Sequence, residues 1–556
     1  MKKVLFFYLF LSSFFLFSQQ EDAWLYLNDK PNSATFLANP LQILSQRSLD
    51  RRTMQHIQLD ETDVPIDENY YNQIKNETTI TILGKSKWLN AIHVQGTEND
   101  IKNLKTNNSF INRIEFANKN LNTNNKHSSK KIAAKHQHKF QNSFTDFVYG
   151  SAENQIKMLK GDYLHQQNLT GEGQIIAVID AGFPNVNTLP AFKRIRDNNQ
   201  ILGGYNFADR NTNFYTRDSH GANVLSTIAG FIDNEFVGTA PDAKFYLFIT
   251  EIAETETVLE ETLWVEAAEK ADSLGVNVIN TSLGYSTFDN PAHNYSYADM
   301  DGKTTFISRG AEIAANKGIL VVNSVGNEGD NSWNYLVAPA DAPSVISVGA
   351  INSQGVIANF SSFGPSSDGR IKPEILAQGV NAAVINHSNG TIVAANGTSF
   401  SSPIMAGLIA CLNQNSTFLL KSSSHIKSKS TQNLNYYLKK SVYESADRFS
   451  NPTAQYGYGI PNFQVALNNY TASLEDSILT NIKIIPNPVK NSFNIQYLEN
   501  SSSTFSLEIY NVLGKKVFER QVISSENIDI TTFKKGIYFL KIFSDLGSRT
   551  IKILKE

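Results

Sequence analysis

One cysteine in 556 residues, Cys411, excludes any intrachain disulfide framework. It falls in the apolar run Ile404–Leu412, where a small buried packing role fits better than a nucleophilic one. Charge of either sign is scarce. Lys and Arg total 49 against 52 for Asp and Glu, a net of −3, so no global field favours nucleic acid or an anionic membrane. The basic residues are scattered or confined to polar stretches without interleaved aromatics, which excludes a nucleic-acid platform. Beyond the first 17 residues no apolar stretch is long enough to span a bilayer. What is present describes a globular chain. Hydrophobic residues make up 41% and charged residues 18%, and the length calls for several domains.

Met1-Lys2-Lys3 precedes an apolar run from Val4 to Phe17, closed by Ser18. A basic start and a short apolar core read as a signal peptide over residues 1–18; the run is short for a membrane anchor. Residues 21–118 form an α+β unit, with strands expected at Ala23–Leu27, Thr78–Leu83 and Trp88–Val94. Residues 119–144 are rich in Asn, Lys and His and read as an exposed linker. His136 and His138 fit a solvated segment better than a metal site.

Residues 145–470 alternate apolar strands with helical patterns, which implies a doubly wound, mostly parallel α/β sheet. Gln174–Ile179 is a buried strand ending in Asp180-Ala-Gly182. A carboxylate there sits where open α/β sheets place their sites, or it caps the turn. His220 opens the run His220-Gly-Ala-Asn-Val224, where its ring could enter a cleft or simply pack. Further strands are expected at Lys244–Ile249, Val276–Asn280, Ile319–Asn323 and Ser344–Val348. Helices are expected at Val258–Leu274 and Arg309–Lys317. Asn396-Gly-Thr-Ser-Phe-Ser-Ser-Pro403 leads into the apolar run, with Pro403 expected in the first turn of a helix. Thr398 or Ser399 is then either an N-cap or, for Ser399, a nucleophile beside free backbone N–H groups.

The chain order Asp180, His220, Asn327, Ser399 supplies a complete set for acyl transfer. A serine hydroxyl needs a base, the base needs an orienting carboxylate, and the developing oxyanion needs donors. The words Val178-Ile-Asp-Ala-Gly182, His220-Gly-Ala-Asn-Val224, Val325-Gly-Asn-Glu-Gly329 and Gly397-Thr-Ser-Phe-Ser-Ser-Pro403 carry a resemblance to the subtilisin-like serine proteases, the subtilases. Gly238-Thr-Ala-Pro-Asp-Ala243, Asn280-Thr-Ser-Leu-Gly284 and Phe360-Ser-Ser-Phe-Gly-Pro365 add to it.

The resemblance implies a serine endopeptidase acting on proteins or peptides through an acyl-enzyme. Asp180, His220 and Ser399 would be catalytic. Asn327 and the Ser399 N–H would form the oxyanion hole. Ser282, Leu283 and Gly284 would edge the substrate cleft by strand addition. No cofactor is required for catalysis. Structural calcium is common in the family, but no compact acidic loop names its ligands. Three positions depart from the family pattern: Ala181 replaces a hydroxyl residue, Ser401 an alanine, and Gln378 the proline of an Ala-Pro-Gly wall.

Residues 21–118 resemble an inhibitory propeptide, which makes the chain's own front unit a partner and the protein a zymogen, with self-cleavage expected between about 119 and 147. Residues 478–556 read as a small all-β sandwich. Pro486-Asn-Pro488, Asn511-Val-Leu-Gly514 and Lys535-Gly-Ile-Tyr-Phe539 resemble the C-terminal sorting domains of type IX secretion cargo of Bacteroidota. That implies a secreted or cell-surface protein handled by the type IX machinery. The competing interpretations are a catalytically inactive subtilase fold used for binding, and an adhesin whose β-sandwich does the work.

Overall fold

A computed structural model of the chain describes residues 19–122, 147–422, 434–479, 482–497, 504–523, 526–544 and 547–556. The expected signal peptide, most of the expected 119–144 linker and the Ser- and Lys-rich residues 423–433 lie outside the described residues. No helix among the described residues is long and apolar enough to cross a membrane.

The front unit is a four-stranded antiparallel sheet in the spatial order Ile80–Ser86, Ala91–Thr97, Gln20–Leu27, Ile111–Phe116. Side chains alternate across a strand. Ala23, Leu25 and Leu27 therefore face the unit's own core, with Ile74, Ile101 and Leu104 from its helices. Trp24 and Tyr26 face the other way and enter a core shared with the following unit. The Trp24 ring stacks on Phe306 with centroids 4.8 Å apart, and its Nε1 donates to Thr262 Oγ1 at 3.0 Å. The first residues of the expected exposed linker are instead structured. Lys119–Leu121 is a single 3-10 turn, and Lys119 pairs with Asp299 at 2.7 Å.

The middle unit holds a seven-stranded parallel sheet. Its spatial order is Ile375–Gln378, Ile346–Ile351, Leu320–Ser324, Val278–Thr281, Ile175–Asp180, Lys244–Ile249, Ile201–Asn206. Every residue of Ile175–Asp180 is buried, as expected for a strand covered on both faces. The helices His220–Ala229 and Thr398–Ser422 pack on one face, and Val258–Leu274 and Phe306–Asn316 on the other. The strands after Ile175–Asp180 build outward on both sides of it. Its carboxyl end therefore lies at the crevice where such sheets reverse direction.

Several boundaries differ from the sequence pattern, among them the expected strands Trp88–Val94, observed as Ala91–Thr97, and Val276–Asn280, observed as Val278–Thr281. The helix expected at Arg309–Lys317 starts earlier, at Phe306, because Thr305 caps it by accepting from Ser308 N–H. The strand expected at Ser344–Val348 is shifted to Ile346–Ile351. Pro403 is not in the first turn: the helix begins at Thr398, so the proline is its sixth residue. The tail forms two antiparallel sheets, of three and four strands, around a core that includes Phe493, Leu507, Leu540 and Ile553. The run Ile528–Phe533 is strand-like in sequence, but of it only Ile528 and Asp529 are paired, in the short strand Asn527–Asp529.

Candidate active site

Asp180 ends the central strand and His220 begins a helix. Two glycines let these elements approach. A Cβ at Gly221 would stand 2.8 Å from Asp180 Cβ, and one at Gly182 would meet the Asp218 carbonyl at 2.3 Å. His220 Nδ1 lies 2.7 Å from Asp180 Oδ1, so with the proton on Nδ1 the carboxylate accepts it and leaves Nε2 as the basic atom. The Ala181 N–H donates to the same oxygen at 2.8 Å. Asp180 is fully buried, and its Oδ2 has no hydrogen-bond partner among the described residues. Ala181 has no hydroxyl to offer it.

Burial disfavours the imidazolium of His220, but the charge and hydrogen bond of Asp180, joined by Asp218, outweigh that and raise its pKa above the ordinary histidine value. A base with a raised pKa is protonated, and idle, at any pH below it. With His220 as the expected base, the acid limb of kcat/KM is expected at a higher pH than an unperturbed histidine would give. Asp218→Asn is expected to move that limb to lower pH, so that activity persists further into acid. A pH profile of peptide hydrolysis checks this, and an unmoved limb contradicts it.

Ser399 is the second residue of the Thr398–Ser422 helix, with 8% of its surface exposed. Its neighbour Thr398 is not a flanking cap. Thr398 is itself helical, and both its N–H and its hydroxyl donate to Asn327 Oδ1 at 2.9 Å. Asn327 thus satisfies one of the free helix-start donors from a separate loop. Its amide oxygen is committed, so its Nδ2 is the end left for a ligand, and the residue is exposed. The Ser399 hydroxyl donates to the Ser282 carbonyl at 3.5 Å rather than to the imidazole. The His220 ring lies beside Phe400, 6.1 Å between centroids, next to the serine.

Ser282, Leu283 and Gly284 follow the strand Val278–Thr281. Ser282 is buried, Leu283 half-buried and Gly284 exposed. The Leu283 carbonyl accepts from Asn323 Nδ2 at 3.1 Å. The next residue, Tyr285, pairs with Ala338 in both directions, at 2.9 and 3.1 Å. An exposed backbone edge at Gly284 is therefore pinned from behind.

Two of the departures from the family pattern have local explanations. Ser401 Oγ donates to the Thr398 carbonyl at 3.0 Å and so turns back on its own helix. Gln378 is buried, holds the 380–381 backbone through Nε2, and accepts from Asn154 at 2.7 Å.

The sequence pattern missed the Thr398–Asn327 bonds and the role of Asp218. It also missed a group of carboxylates beside Tyr285. Glu251 is pushed well above the usual range by burial and by Glu260, and it accepts from the Tyr285 hydroxyl. Glu256 is raised to about 8, by burial first and then by Glu260 and Asp289. The run Glu251–Glu256 signals only a polar loop until burial is known. Among the described residues no three or more His, Cys, Asp or Glu side chains converge to hold a metal.

With this geometry in view, the Subtilase family profile matches residues 171–459. The chain belongs to the subtilase family. This subtilase is 31% identical over 264 residues to Subtilisin NAT of Bacillus subtilis subsp. natto, covering 46% of this chain and 60% of that protein. The identity to Subtilisin of Bacillus pumilus is also 31%, covering 82% of that protein. Human membrane-bound transcription factor site-1 protease is 31% identical over 265 residues, 22% of its length. The chain thus spans 60% of the length of the Bacillus subtilis relative and far less of the human one. Two further profiles match this subtilase: a Peptidase S8 propeptide domain of Bacteroidota at residues 22–135, and a Secretion system C-terminal sorting domain at 483–556.

Proposed function

We infer that this subtilase is a secreted serine endopeptidase made as a zymogen. The observation that carries this is the 2.7 Å contact of His220 Nδ1 with buried Asp180, beside a serine at a helix start. Asp180 orients the imidazole and stabilises its charged form. His220 Nε2 takes the Ser399 proton as the oxygen attacks the substrate carbonyl, and then protonates the leaving amine. Asn327 Nδ2 and the Ser399 N–H receive the oxyanion. An extended peptide pairs along Ser282–Gly284. Water then hydrolyses the acyl-enzyme by the same proton transfers in reverse.

The propeptide match supports the front unit as the chain's own inhibitor, removed by cleavage within residues 119–147. The sorting-domain match supports export through type IX machinery to the surface or medium, and a signal peptide over 1–18 fits that route. The catalytic steps require no cofactor; bound calcium would serve structure alone.

The deciding experiment is casein hydrolysis by the purified mature protein. Labelling of Ser399 by a serine-reactive phosphonate and N-terminal sequencing accompany it. Hydrolysis blocked by the phosphonate is expected, with a mature N-terminus inside 119–147; an active enzyme beginning near residue 20 contradicts the zymogen. Asn327→Ala is expected to lower kcat about 100-fold with KM little changed, the lower end of the range known for the oxyanion asparagine of subtilisin. An unchanged kcat would remove Asn327 from the oxyanion hole. For export, a chain ending near Ser473 is expected to stay inside the cell, and its full secretion would contradict the sorting role.

A further inference from the structure

The helix that carries Ser399 has a gap in its hydrogen bonding at that residue. In an α-helix each carbonyl accepts from the N–H four residues on. Four residues after Ser399 stands Pro403, which has no N–H. The Ser399 carbonyl instead accepts from the Ser282 hydroxyl at 2.9 Å. Ser282 is 6% exposed, so no bulk water replaces that bond.

The contact belongs to a short network between the end of one strand and the start of one helix. Asn280, fully buried, reaches Ser282 Oγ with its Nδ2 at 3.5 Å and accepts from Ser402 Oγ at 3.1 Å. The Ser282 backbone meets the serine from the other side, because its carbonyl accepts the Ser399 hydroxyl at 3.5 Å. One residue thus holds the main chain of Ser399 through its side chain and the side chain of Ser399 through its main chain.

We propose that the Ser282 side chain is a positioning residue for the nucleophile, replacing the helix donor that Pro403 removes. This rests on Ser399 being the nucleophile. It gives Ser282 a second task, distinct from the backbone edge that it offers to substrate. The physical need is plain. A nucleophile displaced by a fraction of an ångström loses rate steeply, and an unsatisfied buried carbonyl would shift to find a donor.

The test is a double-mutant cycle in the full-length protein, matured before assay. Ser282→Ala removes the hydroxyl and keeps the backbone edge, so kcat is expected to fall about 10- to 100-fold while KM stays within about twofold. Pro403→Ala restores an N–H to the helix. In that background Ser282→Ala is expected to cost less than about threefold in kcat, because the carbonyl has regained its own donor. The Tm values of the four proteins are expected to show the same non-additivity.

Equal losses in both backgrounds, or no loss at all, overturn the proposal and leave the hydrolase assignment standing. If the parent protein hydrolyses no casein while the Tm values remain coupled, the hydrolase assignment fails. Ser282 is then still the anchor of the Ser399 main chain.

Discussion

Ser399→Ala is expected to lower turnover on the order of a millionfold while leaving the fold intact. The magnitude is the one known for loss of the subtilisin nucleophile, carried over by family membership. The intact fold follows from the structure. Alanine is the best helix former, and the lost hydroxyl makes only a 3.5 Å contact to the Ser282 carbonyl. The Ser399 carbonyl keeps its bond from Ser282, and Thr398 keeps both bonds to Asn327. The Tm should therefore move little. The variant should also accumulate as an uncut precursor, since it lacks the activity proposed to release the front unit. Casein hydrolysis and precursor size on a gel check both points. Turnover retained by pure Ser399→Ala protein would sink the catalytic assignment.

Asp272→Ala is expected to weaken the hold of the front unit by about 3–5 kcal/mol, or roughly 100-fold and more in its inhibition constant. Asp272 lies in the last turn of the Val258–Leu274 helix, where an acid opposes the negative end of the helix dipole. The front unit supplies the cations that this position wants. Arg51 pairs with Asp272 Oδ1 and donates to the Val276 carbonyl, while Arg52 bridges Asp272 at 2.7 Å and Asp63 at 2.9 Å. Lys317 joins them from the middle unit, 3.0 Å from Asp63. Both arginine side chains are 2% exposed and Asp63 and Asp272 are fully buried, so removing one partner strands charge out of water. In the mature enzyme, freed of the front unit, the same substitution is expected to be neutral or slightly stabilising, because the acid then has only the unfavourable dipole. Titration of mature enzyme with the separate front unit gives the first number and thermal melts give the second. An unchanged inhibition constant would show that the unit's other contacts, among them those of Trp24, Arg47 and Glu115, suffice to hold it.

Much of this was legible in the chain itself. The buried run before Asp180 reads as a parallel strand because it is covered on both faces. The helix Val258–Leu274 has the limits its spacing suggests, with Gly275 at a positive φ of 81° ending it. At two helix starts where the pattern erred, a side-chain acceptor, one local and one from a distant loop, had moved the end. Thr305 capped a helix early, and the Asn327 carbonyl oxygen took up the helix-start donor that let Thr398 join the helix ahead of Pro403.

The sequence by itself determined the fold class and the order of the site residues. Strand alternation, helix spacing and tight glycine turns are local properties, and the four motif words carry them intact. Only the tertiary structure decided what those residues touch. Thr398 meets Asn327 across 71 positions, Ser282 meets Ser399 across 117, and Arg51 meets Asp272 across 221. No local rule links such distant positions. They become neighbours only when the sheet sets its strands in an order unlike that of the chain. Among the described residues the same packing leaves Asp180 Oδ2 without a donor and gives the Ser399 carbonyl one from the segment after the strand Val278–Thr281.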